Sequence, residues 1–324
     1  MVQGMFETRI EPAPFDPEDL TGLRARVMAE TAGGYQRVRT GLLPDYDKVR
    51  LDIALGYAGL AAVLALAGLA EGVVAGLAAA TVAAIAIGFL IAYLQLFIHE
   101  AAHFGLAADR AANDRIADRL ICWQVGTDIA SYRATHWQHH RALGTADDSE
   151  VSYTNRLSLR FLAEMVTGIH ALRVFLDRRR ASVPKEAQGK GLRPLVTGAL
   201  VHLALLALLV AVGAWPAALA WIGGMGIFFP LFATLRQLLE HRPADGQNNG
   251  AAVNRLFGDG PLASIFGGAG FSRHMLHHME PQLSYTRFAE FEAYLMTTSA
   301  RAELDARRTT YTRAFADLIR SDRK

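Results

Sequence analysis

The chain has 324 residues, with 33 Lys and Arg against 31 Asp and Glu, 11 histidines and one cysteine. A net charge of +2 gives no broad basic surface of the kind that nucleic acid requires. The lone Cys122 excludes an intramolecular disulfide and a multi-cysteine metal site, and reads as a buried or membrane-adjacent thiol.

Residues 1–50 read as a cytoplasmic lead-in. Pro12, Pro14 and Pro17 make its start irregular, and Glu18–Thr31 suits a surface helix. Met1–Leu20 has no apolar centre and therefore does not read as a signal peptide. Ile53–Ala70 then runs without a charge, and after Glu71 so does Gly72–Ile98. A bilayer core takes about 20 apolar helical residues, so each run reads as one span. The second is longer than a span needs, at roughly 40 Å of helix against a core of about 30 Å. Its last turns are therefore expected to emerge and carry His99 and His103 with them.

Residues 104–194 are polar, with Phe161–Leu176 read as an amphipathic surface helix and Ser182–Arg193 as a loop. Leu195–Leu235 is a third uncharged run, long enough for two spans, with a natural break at Trp215-Pro216. The fourth span runs into Arg236-Gln237 and Glu240-His241. Residues 245–270, rich in Gly and Asn, read as loop, and Phe288–Arg320 as a closing helix. The division expected is a lead-in (1–50), a membrane domain (51–290) and a cytoplasmic helical tail (291–324). Lys and Arg are absent from the short connections at Glu71 and Trp215 but frequent between His99 and Pro194 and at both ends. The positive-inside rule then places the termini and the middle segment in the cytoplasm, the membrane being the inner or plasma membrane.

Eight histidines fall in three short boxes: His99 and His103 in HEAAH, His136, His139 and His140 in HWQHH, and His274, His277 and His278 in HMLHH. Imidazole is a frequent ligand of first-row metals, and helical spacings of three and four share a face. Each box can thus offer two or three nitrogens to one point. His241, at the end of the fourth span, is a ninth candidate. Nine exceed what one tetrahedral zinc takes and suit two metals of higher coordination. HEAAH alone also fits a membrane zinc protease, with Glu100 as general base, but that leaves the other boxes unexplained. Carboxylate di-iron sites need two Glu-x-x-His pairs, and only Glu100–His103 has that spacing. A non-enzymatic metal-binding membrane protein is a third reading. His170 on the surface helix and His202 in the third span stand apart, the latter suited to bonding a neighbouring helix. Gln237, one turn before His241, can orient a water or a ligand.

The order HxxxH, HxxHH, HxxHH, divided by paired spans, resembles the integral-membrane fatty acid desaturase family. HWQHHRALGTADDSE, HMLHHMEP followed by Tyr285, and Glu240-His241-Arg242 carry the likeness across roughly residues 50–290. The chain departs from the pattern at Glu100, where aspartate is common, and at the glycine-rich Gly267–Gly270. The resemblance implies two iron ions held by the nine histidines, molecular oxygen as co-substrate, an acyl-lipid or fatty acid substrate and an electron donor. No cluster cysteines are present, which points to a separate donor protein. Breaking an unactivated C–H bond needs a metal–oxygen oxidant that side chains cannot generate, so the ligands themselves need do no acid–base work. The fold expected is all-α and integral to the bilayer, with four spans and a cytoplasmic histidine-rich di-iron cap. The reaction expected is desaturation of a long acyl chain. Hydroxylation or oxidative decarboxylation would use the same ligands. Tyr93, Phe97, Trp123, Trp137, Phe228 and Phe229 are placed to line an apolar substrate path.

Overall fold

The structure is a computed structural model that describes residues 20–145, 147–180, 191–242 and 253–321. Two short helices come first, α1 (Leu20–Glu30) and α2 (Gly34–Gly41), with Leu23, Val27 and Tyr35 buried. The first span is α3 (Tyr46–Gly68), whose N-cap Asp45 accepts from the Lys48 backbone N–H at 3.0 Å. The second span is Val73–Ala102, formed by α4 (Val73–Leu94) and α5 (Leu96–Ala102), which part at Gln95. The break is fastened from outside: the Gln95 amide donates to Ile121 O and to Gln124 Oε1, at 3.2 and 2.8 Å.

A short α6 (Arg110–Ile116) precedes α7 (Ile129–Ala142), the helix of the second box, capped by Asp128. The segment read as one surface helix is two, α8 (Leu159–Val166) and α9 (Ile169–Arg180). Gly168, at φ +73°, turns the chain between them. The third span is α10 (Arg193–Ala211). The loop expected at Ser182–Arg193 lies outside the described residues up to residue 190. The fourth span, Trp215–His241, consists of α11 (Trp215–Gly223), a wide turn over Gly224–Phe228, and α12 (Phe229–His241).

Four helices are therefore long and apolar enough to cross a bilayer. Their surfaces expose Leu55, Val74, Leu77, Val82, Leu200 and Leu203, which suits lipid rather than water. Between spans, packing relies on small residues. A Cβ on Gly88 would stand 2.3 Å from Phe228 Cβ, and one on Gly76 would stand 2.4 Å from the Trp215 ring. The latter contact, with Gly68 against Ala214, brings together the two connections that have no Lys or Arg.

After α12 the chain is more structured than a Gly- and Asn-rich loop suggests. Residues 245–252 lie outside the description, but β1 (Leu256–Phe257) and α13 (Pro261–Phe266, proline in the first turn) follow. Next come α14 (His274–Met279), which bears the third box, and α15 (Phe288–Leu295). The single closing helix expected over Phe288–Arg320 is broken into α15, α16 (Arg301–Arg307) and α17 (Tyr311–Ser321). Thr297 and Thr298 turn their hydroxyls onto the carbonyls of Tyr294 and Leu295, both at 2.7 Å, where the first helix stops. Arg308–Thr309 forms β2, paired in parallel with β1. This two-stranded pair is the sole sheet among the described residues in an otherwise all-helical fold.

Candidate metal centre

The three boxes and His241 meet at one end of the bundle, and the local structure explains how each arrives. α5 ends at the first box, where Phe104 adopts φ +62° and the Gly105 N–H returns to Glu100 O at 2.9 Å. Arg133 caps that helix end, donating to Ala102 O and Ala101 O at 3.1 Å each, and stacks over Phe104 at 4.0 Å. Asn113 holds the same turn through Ala101 O and the Leu106 N–H. Arg133 lies one turn before His136 on α7, so one side chain ties the first box to the second.

The nine histidines form two sets. His99, His103, His136, His140 and His277 have ligand atoms that converge, as do those of His139, His241 and His278. His274 joins the second group through Nε2, 3.1 Å from the Nε2 atoms of both His241 and His278. The expectation that each box serves one point holds for the first box and needs correction for the other two. Positions i and i+4 of an HxxHH helix share a direction, while i+3 is about 60° short of a full turn from i and points elsewhere. In α7 the i, i+4 pair His136/His140 joins the first set and His139 the second. In α14 the assignment is reversed: His274/His278 join the second set and His277 the first.

The donor chemistry fits two metal ions. His140 Nε2 lies 3.1 Å from His136 Nε2 and 2.9 Å from His277 Nε2. One imidazole nitrogen has either one proton or one lone pair, so it cannot satisfy both contacts as ordinary hydrogen bonds. His274 Nε2 is in the same position between His241 and His278. Both ring nitrogens of His99 and of His103 are buried without a hydrogen-bond partner, a costly arrangement for polar atoms in a protein interior. Cis ligands at about 2.1 Å from one ion stand about 3 Å apart, as these nitrogens do. Burial first, and neighbouring imidazoles second, hold His103, His140, His274, His277 and His278 well below the ordinary imidazole range, so their lone pairs are free.

The second set is oriented from behind. His139 Nδ1 bonds Asp148 Oδ1 at 2.9 Å, and the Asp148 carboxylate also accepts the Tyr153 hydroxyl and the Glu150 N–H. Burial lowers the His139 pKa, but the Asp148 bond and the charges of Glu150, Asp148 and Glu240 outweigh it and raise the value above normal. His241 Nδ1 donates to Val253 O at 3.1 Å, which leaves Nε2 for a metal. Glu280, just past the third box and buried, receives the Tyr35 hydroxyl at 2.8 Å and ion pairs from Arg24 and Arg39 at 2.7 and 2.9 Å. It fastens α14 to α1 and α2. The sequence reading assigned no role to Asp148, Glu280, Gln95 or Arg133. The only signal was the acidic stretch after the second box and the Glu-Pro after the third.

The remaining expectations have definite places. His170 joins neither set and bonds Ser152 Oγ at 3.0 Å. His202 bridges helices, contacting Gln124 O and accepting the Trp221 indole N–H, both at 3.1 Å. Gln237 donates to Glu150 Oε2 at 3.4 Å. The Glu100 carboxylate accepts the Tyr285 N–H and lies against Gly105. Cys122 is buried. Of the six aromatic candidates, Trp137 packs on His103 with ring centroids 4.9 Å apart, and Phe97 is buried between Tyr93 and Tyr285. Trp123 packs instead on His202, and Phe228 on Gly88.

Four spans with two convergent histidine sets at one end define a helical membrane protein built around a polyhistidine centre able to hold metal. The family profile for fatty acid desaturases matches residues 75–310, and the chain belongs to that family. Membership supports lipid oxidation of the desaturase type or a related one. A comparison with curated proteins finds no match.

Proposed function

We propose that the protein desaturates a long fatty acyl chain, with one iron held by His99, His103, His136, His140 and His277 and a second by His139, His241, His274 and His278. The observation that carries this reading is the division of nine histidines into two convergent sets within a desaturase-family chain. When bound, the two irons supply the oxygen chemistry that removes hydrogen from an unactivated methylene. The protein's own contribution is position. Imidazoles held neutral by burial offer their lone pairs, while Asp148 and the Val253 carbonyl set which nitrogen of His139 and His241 faces inward. Glu280 and Arg133 hold the third and first boxes in place from outside. Phe271 and Trp137 pack apolar surface on the histidines and exclude water from the reacting chain. Oxygen is the co-substrate, and a separate protein delivers the electrons. The arginine distribution supports an active site and both termini on the cytoplasmic side of the inner or plasma membrane.

The zinc-protease reading is weakened by the same geometry. It needs His99 and His103 with one further ligand, and here three more histidines join them. The test is lipid profiling by mass spectrometry of cells with and without the protein. A new double bond in the acyl chains is expected. A new hydroxyl group or a shortened hydrocarbon instead would reassign the outcome within the family, and an unchanged profile with peptide cleavage would overturn the reading.

A further inference from the structure

Glu240 is a carboxylate whose ligand atom the fold brings together with those of two histidines, while one of its oxygens has no hydrogen-bond partner. It sits on α12 beside His241 and is 2% exposed. Its Oε2 lies 4.0 Å from His274 Nε2, and Glu240, His241 and His274 form a group whose ligand atoms converge. Its Oε1 is buried without a hydrogen-bond partner and faces Arg236 Nε at 3.5 Å. An isolated buried carboxylate is costly, and Arg236 compensates only one side of it. Two ligands at about 2.1 Å from a shared ion can be at most about 4.2 Å apart, and the 4.0 Å separation meets that limit. Glu100 differs: it is the carboxylate that the H-E-x-x-H pattern singles out, yet it accepts the Tyr285 N–H, packs against Gly105 and, although its Oε1 is 3.9 Å from His99 Nδ1, joins no such group.

We propose that Glu240 is a ligand of the second metal, bound through Oε2, so that each site has five protein donors: five imidazoles at the first, and four imidazoles with one carboxylate at the second. The assignment rests on the two-iron reading. It makes the sites chemically unequal. A hard anionic oxygen favours the higher oxidation state, so the second iron is the more easily oxidised of the two.

The test uses the full chain purified in detergent and loaded with ⁵⁷Fe. Mössbauer spectra and iron content are compared for wild type, Glu240→Gln and Glu240→Asp. Wild type is expected to show two iron sites in equal amounts. In Glu240→Gln one site should change its spectrum and lose affinity for iron by more than 100-fold, above the roughly 10- to 100-fold typical of outer-shell changes. The other site should stay as it was, and Glu240→Asp should recover part of the loss. Two unchanged sites in Glu240→Gln would overturn the assignment while leaving the two-iron reading intact. Wild type without two irons would overturn that reading itself. If Glu240→Gln does not yield folded protein, wild type labelled with ¹³C at the glutamate carboxyl decides by electron–nuclear double resonance. Strong ¹³C coupling to the mixed-valent centre supports the ligand, and none rejects it.

Discussion

The two histidine sets are neighbours made of the same side chain, but they are held differently. The first draws His99 of α5, His103 at the end of that helix, the i, i+4 pair of α7 and His277 of α14, and the ring nitrogens of His99 and His103 have no hydrogen-bond partner. The second draws one histidine from α7, one from α12 and two from α14, and hydrogen bonds fix its rings: Asp148 behind His139 and the Val253 carbonyl behind His241. Helix periodicity can therefore build a ligand set where two helices supply the pairs. In the second set, two of the four rings, His139 and His241, have a hydrogen-bond anchor of their own.

The largest expected effect comes from removing one ligand from either set. His277→Ala and His278→Ala should each abolish acyl oxidation, measured by lipid mass spectrometry, because neither site works alone. His170→Ala should leave activity largely intact, since His170 belongs to neither set and bonds Ser152 instead. Full activity in either ligand variant would mean that the two sets are not joint machinery.

Asp148→Asn separates the sets more sharply. It keeps the shape of the side chain but removes the charge behind His139. Iron affinity at the second set should fall about 10- to 100-fold, while the first set is unaffected. Competition with a chelator at equilibrium reads both constants. An equal loss at both sets would show that Asp148 supports the fold rather than one ring.

Acid should release the metal. His103, His140, His274, His277 and His278 sit well below the ordinary imidazole value of 6.5 in the fold. A folded-state value below the unfolded one favours the neutral ring, so its stabilising contribution is complete above about pH 6.5 and is lost as the pH falls toward the folded values. Metal binding depends on the same neutral rings, so chelator-trapped iron should rise as the pH falls from 6.5 toward those lower folded values, not at 6.5 itself. A flat profile across the acid range would contradict this account of the donors.

The smallest effect lies away from the sets. Gly88→Val would push its side chain into Phe228 and part the second and fourth spans, at a cost of about 1–3 kcal/mol. A lower unfolding temperature in detergent is expected, with iron content unchanged at low temperature.

Much of this was legible in the sequence because its two strongest signals are rare ones. Charge-free runs mark the spans, and histidine is scarce enough that HxxHH twice is not an accident. The split of the second and third boxes is not legible in the sequence. The spacing shows which side chains share a face, but which face meets which partner depends on how α7 and α14 approach each other. The anchors were hidden for a related reason. Glu280 meets Tyr35 across 245 residues of sequence, and Asp148 acts on a ring nine residues before it through a turn that has no periodic signature. The C-terminal helices were misread as one because threonine hydroxyls that bond the backbone break a helix without any glycine or proline to announce it.

The most direct measurement of the central claim is the metal content of the wild-type chain, purified without chelators and counted by elemental analysis against protein concentration. The account predicts two irons per chain, falling to one when the second set is broken by His278→Ala. One stoichiometric zinc with no iron would contradict it and return the HEAAH pair to the protease reading.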